Sequence, residues 1–282
     1  MEASAALPDW LGACRRMAAE LRAILAASPS TAERAVVVGR GEGGDRTLVI
    51  DRDAEQAIFD ELDRLHAAGA SFTAISEERG EVPFGGGPVR VVIDPIDGSM
   101  NAKRGLAPHA VSVAVADGPT MADVRFAYVQ ELAGGAEFEA TRGGGARLDG
   151  APLSVGAHAE RRSRDGRLEL VALEAAYPRL WAMRGAEVER AVHRVRIFGS
   201  MAISLCRLAA GHLDGMATLG PSRSVDVAAA QLIVRESGGL VRFTGCAEPL
   251  AATLDLAARS PVIAALTPDG LAELARLTSS ET

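Results

Sequence analysis

The stretch "VVIDPIDGSMNAKRG" (91–105) restricts this chain more than any other. Val91, Val92 and Ile93 are apolar and β-branched, and they read as a buried strand. Asp94 sits where that strand ends. Pro95 has no N–H for a ladder and fixes its own φ, so the chain is expected to turn there. Asp97 then returns to the same end as Asp94. Gly98 lets the backbone come close to a bound group. Ser99 and the amides behind it can form an anion-binding turn or helix start. Two carboxylates in this setting suit a hard divalent cation held by oxygens, with phosphate nearby.

The rest of the chain must supply a scaffold. Its 282 residues exceed one average domain, so two packed subdomains are expected, 1–155 and 156–282, with one large domain as the alternative. Apolar residues make up 48%, enough for a sizeable core. The net charge of -7 argues against a nucleic-acid partner. Cys14, Cys206 and Cys246 are odd in number and far apart, which suggests neither a disulfide framework nor a zinc site. Arg15, Arg16, Glu20 and Arg22 break up the N-terminal apolar residues, so no signal peptide is read there. No apolar run approaches membrane-spanning length. A cytoplasmic protein with no membrane partner is the expectation.

Residues 7–27 carry apolar side chains at helical spacing. "AVVVG" (35–39) and "TLVI" (47–50) read as short strands around "RGEGGDR". "DRDAEQAIFDELDRLHAAG" reads as a second amphipathic helix, with Asp53 and Gln56 as a capping box and Gly69 as its stop. "SFTAIS", "VRVVID", "AVSVAVADG", "DVRFAYVQEL" and "GAEFEATRGGGARLDG" follow as strands. The first half is thus two helices beside a largely antiparallel sheet. "AERRSRDGR" (159–167) reads as a charged surface loop at the subdomain boundary. Beyond it strands and helices alternate: "LELVALE", a helix near 177–191, "VRIFG", "SMAISLCRLAAG", "LDGMAT", "SVDVAAAQLIVRESGG", "LVRF", "SPVIAAL" and "TPDGLAELARLT". This predicts a layered α/β second half.

"GRGEGG" (39–44) matches the dinucleotide pattern G-x-G-x-x-G, but that site needs a helix to open at the glycines. The β-branched "DRTLVID" follows instead, and a glycine-rich hairpin is the better account. Two acidic features could join Asp94 and Asp97. Glu77 and Glu78 end the strand "FTAI". Asp226 lies in the first turn of a helix, among small alanines that permit close packing. Each has an ordinary alternative: turn former, end charge, solvated loop. Their combination at strand ends and helix starts favours a site.

These residues resemble a known family. "DPIDGSMN" is similar to the D-P-I-D-G-[ST]-x-N signature of the inositol monophosphatase and fructose-1,6-bisphosphatase superfamily. "SVDVAAAQLIVRESGGLV" resembles its second signature, and "ISEERG", "GRGEGGDRTLVIDRDAEQAI" and "FGSMAISLCRLAAGHLD" resemble further segments in the right order. The resemblance implies an α/β protein with a layered α-β-α-β-α sandwich. It implies a magnesium-dependent, lithium-sensitive phosphomonoesterase, forming a homodimer and taking a small-molecule phosphate ester. It assigns one Mg2+ to Glu77, Asp94 and the main-chain carbonyl of Ile96, and a second to Asp94, Asp97 and Asp226. Glu78 is not an expected ligand. Ser99 and Glu77 would position the attacking water, with Asp51 supporting Ser99. The amides of Gly98 and Ser99 would hold phosphate. A third Mg2+ could use the loop near Glu42 and Asp45. Metals about 3.5–4 Å apart suit in-line displacement at phosphorus.

The chain departs from the pattern at Val225, where the family has tryptophan, and at Ala230, where it has glycine. Nothing acidic lies between Asp214 and Asp226, and "RSVD" looks like prokaryotic members acting on both fructose bisphosphate and inositol phosphate. Arg223 could meet a second phosphate or carboxylate of the substrate, or be a surface arginine. Lys103 and Arg104 lie near enough in sequence to touch an anionic substrate. Rival readings are a 3'(2'),5'-bisphosphate nucleotidase, a histidinol-phosphate phosphatase, and a non-catalytic member that only binds phosphate ligands.

Overall fold

The computed structural model describes residues 8–28, 30–34, 36–40, 46–155, 160–175 and 177–278. Asp9 opens helix α1 (Trp10–Ala27) by accepting from the Gly12 amide, and Cys14, Met17, Leu21 and Leu25 line its buried face. A single turn, α2 (Thr31–Arg34), leads into the hairpin of β1 (Val37–Arg40) and β2 (Arg46–Leu48). Helix α3 (Val49–Ala67) starts earlier than its sequence suggests. Val49 and Ile50 belong to it and not to a strand, because Ile50 packs into the core on the same face as Ala54 and Ile58. Asp53 and Gln56 are therefore inside the helix, bonded to Arg52 and Asp60, and form no capping box. Gly69, at φ +100°, does end the helix.

Strand β3 (Phe72–Ser76) is enclosed by β4 (Gly80–Asp97), which doubles back around it. The first limb of β4 runs antiparallel to β3, from Ser76 opposite Gly80 to Phe72 opposite Phe84. The second runs parallel, from Thr73 opposite Arg90 to Ser76 opposite Ile93. Gly85, Gly86 and Gly87, all at positive φ, make the reversal between limbs. Helix α4 (Ser99–Arg104) follows, then an antiparallel meander: β5 (Ala110–Ala116), β6 (Val124–Glu131), β7 (Glu137–Thr141), β8 (Gly145–Leu148) and β9 (Ala151–Leu153).

The second sheet is mixed. Its order is β11 (Val192–Arg196), β10 (Leu168–Glu174), β12 (Gly215–Thr218), β14 (Val262–Ala265) and β13 (Leu240–Phe243). Strand β10 is parallel to β11 and β12, while β14 is antiparallel to both its neighbours. Strand β11 ends at Arg196, so Ile197 and Phe198 lie beyond the strand that "VRIFG" suggests. Helices α5 (Pro178–Ala191), α6 (Met201–Ala209), α7 (Ser224–Glu236) and α8 (Pro268–Thr278) complete this half. The charged segment 160–167 is not simply solvated. Arg161 reaches the fully buried Asp214 of the second half, and Arg162 pairs with Glu160 and Glu273.

Side-chain alternation sorts the core into layers. Val91, Ile93, Val111, Val113 and Val115 pack under α1 and α3. Val92, Ala110, Ala114, Ala127 and Val129 face α6 and α7 on the other side of the first sheet. Leu168, Val171, Leu173 and Ile263 pack with α5 and α8 beyond the second sheet. The result is the α-β-α-β-α sandwich expected from the resemblance. Among the described residues no helix is long and apolar enough to cross a membrane.

Candidate active site

The turn expected at Pro95 is a bulge within β4. Asp94 lies opposite Ser112 and Asp97 opposite Ala110, so three steps on β4 span two on β5. In a regular strand, residues three apart point to opposite faces. The extra residue cancels that alternation and turns both carboxylates toward the α6–α7 layer. Asp94 Oδ1 accepts from the Ile96 amide, 3.0 Å away, which satisfies an N–H that the bulge releases from the ladder. Pro95 supplies no N–H, so the bulge leaves one fewer donor to satisfy.

Gly98 follows at φ 87°, ψ 35° and opens α4. A Cβ there would lie 3.0 Å from the Gly199 carbonyl and 3.1 Å from that of Pro108. The glycine thus serves close packing of protein backbone as well as the left-handed conformation. Ser99 is the first residue of α4 and is exposed, and Lys103 lies one turn on, half-buried. Asp51 is half-buried in the first turn of α3.

Asp97 is held from the second half. Its Oδ2 accepts from Ser200 Oγ and, at 2.8 Å, from the Ala202 amide. Among the described residues its Oδ1 accepts only a long 3.3 Å bond, from the Met201 amide. Asp226 sits in the first turn of α7, and its Oδ2 accepts from the Arg223 amide at 3.0 Å. Asp94, Asp97 and Asp226 are all buried, and one carboxylate oxygen from each lies within 4.8 Å of the others.

Glu77 follows β3 but stands outside that three-oxygen group. Its Oε1 contacts Arg223 Nη1, and Arg223 Nε lies 3.5 Å from Asp226 Oδ1. Arg223, read from sequence as a possible substrate contact, turns inward onto the carboxylates. Glu42 and Asp45 lie outside the described residues.

The electrostatics follow from burial and crowding. Burial, then Glu77, Asp97 and Asp226, push Asp94 well above the usual carboxylate range. Burial and then Asp226 push Asp97 up to about 7, against the bonds from Ser200 and Ala202. Glu77 is raised to about 7 chiefly by burial, with Asp226 and Glu78 adding and Arg223 opposing. Burial also raises Asp226, again opposed by Arg223. The Arg223 guanidinium thus lies against two of four crowded carboxyls, Glu77 and Asp226. The hydroxyl of Ser112, opposite Asp94 on the same face, is buried without a hydrogen-bond partner among the described residues. An all-oxygen donor set with excess negative charge fits a hard divalent cation.

Two buried carboxylates here escape a reading based on motifs. Glu55 of α3 is 2% exposed. Its Oε2 accepts from Ser76 Oγ at 2.7 Å, beside Glu77, while Oε1 is buried with no partner among the described residues. Burial raises it to about 7. Glu174 ends β10 and accepts from the amides of Phe198 and Gly199 and from Ser204 Oγ. Both left a signal: Glu55 interrupts the apolar stripe of Ala54 and Ile58, and Glu174 ends an apolar strand as Asp94 does.

Residues 11–281 match the model of the inositol monophosphatase family. A fructose-1,6-bisphosphatase/inositol-1-monophosphatase of Methanothermobacter thermautotrophicus is 31% identical over 267 residues, covering 91% of each chain. The Nus factor SuhB of Escherichia coli K12 is 32% identical over 219 residues, covering 75% of this chain and 77% of its own. The crystal structure of the MJ0109 gene product, an inositol monophosphatase-fructose 1,6-bisphosphatase, superposes with a TM-score of 0.80 at 25% identity, covering 95% of this chain and 99% of that one. The carboxylate cluster, the layered fold and these matches agree: the chain is a phosphatase of the inositol monophosphatase family.

Proposed function

We propose that the chain is a Mg2+-dependent phosphomonoesterase of small sugar or cyclitol phosphates, inositol monophosphate and fructose 1,6-bisphosphate among them. The buried group of Asp94, Asp97 and Asp226 carries this reading. Three converging carboxylate oxygens are costly to bury unless a cation joins them. The dual name of the Methanothermobacter relative supports the choice of substrates.

In this reading Asp94, Asp97 and Asp226 hold one ion, and Glu77, Asp94 and the Ile96 carbonyl hold another. Residues 1–155 supply all of these but Asp226, which comes with Arg223 from 156–282. When bound, Mg2+ supplies positive charge to the phosphoryl group and acidifies water. Glu77 and Ser99 orient the attacking water, and Asp51 supports Ser99. The amides of Gly98 and Ser99 hold phosphate oxygens at the start of α4. Arg223 turns from Glu77 to a second anionic group of the substrate.

The test is phosphate release, with and without Mg2+, from fructose 1,6-bisphosphate, inositol 1-phosphate, adenosine 3',5'-bisphosphate and histidinol phosphate. Mg2+-dependent release from either of the first two supports the proposal. Release from only the third or fourth replaces the substrate class. No release from any, with metal still bound, favours a chain that binds phosphate ligands without turnover.

A further inference from the structure

Glu174 has no place among these roles, yet it is a carboxylate only 2% exposed at the end of β10. Its two oxygens take two consecutive backbone amides, Phe198 at 2.9 Å and Gly199 at 3.0 Å, and Ser204 Oγ adds a third donor at 2.7 Å. A carboxylate can accept all three, whereas a neutral amide cannot. Glu174 thereby ties both the 198–199 segment and the first turn of α6 to the second sheet.

The other side of the same segment closes on the first half. Asn101 Nδ2 donates to the carbonyls of Phe198, at 2.7 Å, and Pro108, at 2.8 Å. The Gly199 carbonyl packs against Gly98. Ser200 and Ala202 then hold Asp97 Oδ2. With Oδ2 engaged twice, Oδ1 is the oxygen left freer to face Asp94 and Asp226. A shift of residues 198–202 would rotate that carboxylate.

We propose that Glu174 is a positioning residue: through residues 198–202 it sets the orientation of Asp97 in the carboxylate cluster and so controls cation affinity there. The proposal rests on the metal-dependent reading above. It ties the affinity of a site built largely by the first sheet to a side chain of the second.

The experiment uses Glu174→Gln, which keeps shape but places an N–H against at least one of the three donors. Mn2+ binding is measured by calorimetry, with thermal unfolding of the metal-free protein alongside. Affinity should fall about tenfold or more, the usual effect of losing a partner behind a metal ligand. Leu274→Ala, in the core beyond the second sheet, is the control for a general loss of stability and should bind Mn2+ as the wild type does. Ser200→Ala acts on Asp97 directly, so its effect combined with Glu174→Gln should be less than the product of the two. Should Glu174→Gln not fold, Ser204→Ala removes one donor only and should weaken Mn2+ binding in the same direction. Wild-type affinity in the Glu174 or Ser204 variant, or an equal loss in Leu274→Ala, overturns the proposal. A wild-type chain that binds Mn2+ and hydrolyses nothing refutes the phosphatase reading alone, and one that binds no divalent cation refutes both.

Discussion

Replacing Glu55 by glutamine should make the variant the weaker protein at pH 5 but not at pH 8. Glu55 is buried, with one oxygen bonded to Ser76 and the other unpartnered among the described residues. Its burial moves it from the ordinary 4.5 to about 7. The folded chain therefore keeps a proton that the unfolded chain loses above 4.5. The folded state binds more protons across this window, so stability is full below about 4.5 and is lost as pH rises through about 7. At about 1.4 kcal/mol per pH unit, the span from 4.5 to about 7 is worth about 3.5 kcal/mol in full, of which roughly 3 kcal/mol is lost by pH 8. Glutamine does not titrate. Its carbonyl can still accept from Ser76, and its NH2 takes the unpartnered position at a constant cost of about 1–3 kcal/mol. The variant should be the weaker protein at pH 5 and match or exceed the wild type at pH 8. At about 2 °C per kcal/mol for a chain of this size, the difference in Tm should swing by roughly 6 °C. Urea and thermal unfolding of both proteins with chelator, from pH 5 to 8, measures this. Chelator is needed because cation uptake by the neighbouring carboxylates has its own pH dependence. A difference that stays constant with pH refutes the argument, since Glu55 would then carry no extra proton in the fold.

Three further outcomes are expected. Arg223→Met should cost the metal-free protein about 1–2 kcal/mol, by stranding the half-buried Glu77 carboxylate, while tightening Mn2+ binding in calorimetry, because no guanidinium then competes for Glu77; weaker binding would count against Arg223 as an internal counter-ion. Asp226→Asn should stabilise the chelated protein at pH 8 by on the order of 1 kcal/mol, by removing one of four crowded charges. The same change should abolish the rise in Tm that Mg2+ produces; a retained rise would place the cation elsewhere. Gly98→Ala should cost about 1–2 kcal/mol from its left-handed conformation alone, and more from the contact with the Gly199 carbonyl. Denaturant midpoints will show whether the position tolerates a side chain.

Much of the site is legible from local sequence. The run Val91–Ile93 followed by Asp94, Pro95 and Asp97 announces a strand that ends in carboxylates, and Asp226 announces itself at a helix start. The harder features are geometric. Pro95 looks like a chain-leaving turn, yet the ladder resumes at Asp97, because opposite residues on β5 remain available for pairing. The start of α3 is misplaced because Val49 and Ile50 have strand propensity, and burial of Ile50 overrides it. Arg223 is left open in the sequence between a substrate contact and a surface arginine, because its spacing says nothing of Glu77, which is far from it in sequence and beside it in space.

Local periodicity and turn chemistry, which act over a few residues, determine the order of helices and strands and the positions of the acidic residues. Their sequence alone also identifies the family. The tertiary structure decides which oxygens converge. It bulges β4 so that Asp94 and Asp97 share a face, lays α6 against Asp97, and links Glu174 to Asp97 through residues 198–202. These pairings join residues that are distant along the chain. They exist only once two sheets have packed on a common helical layer, and no spacing rule within a single segment can state them.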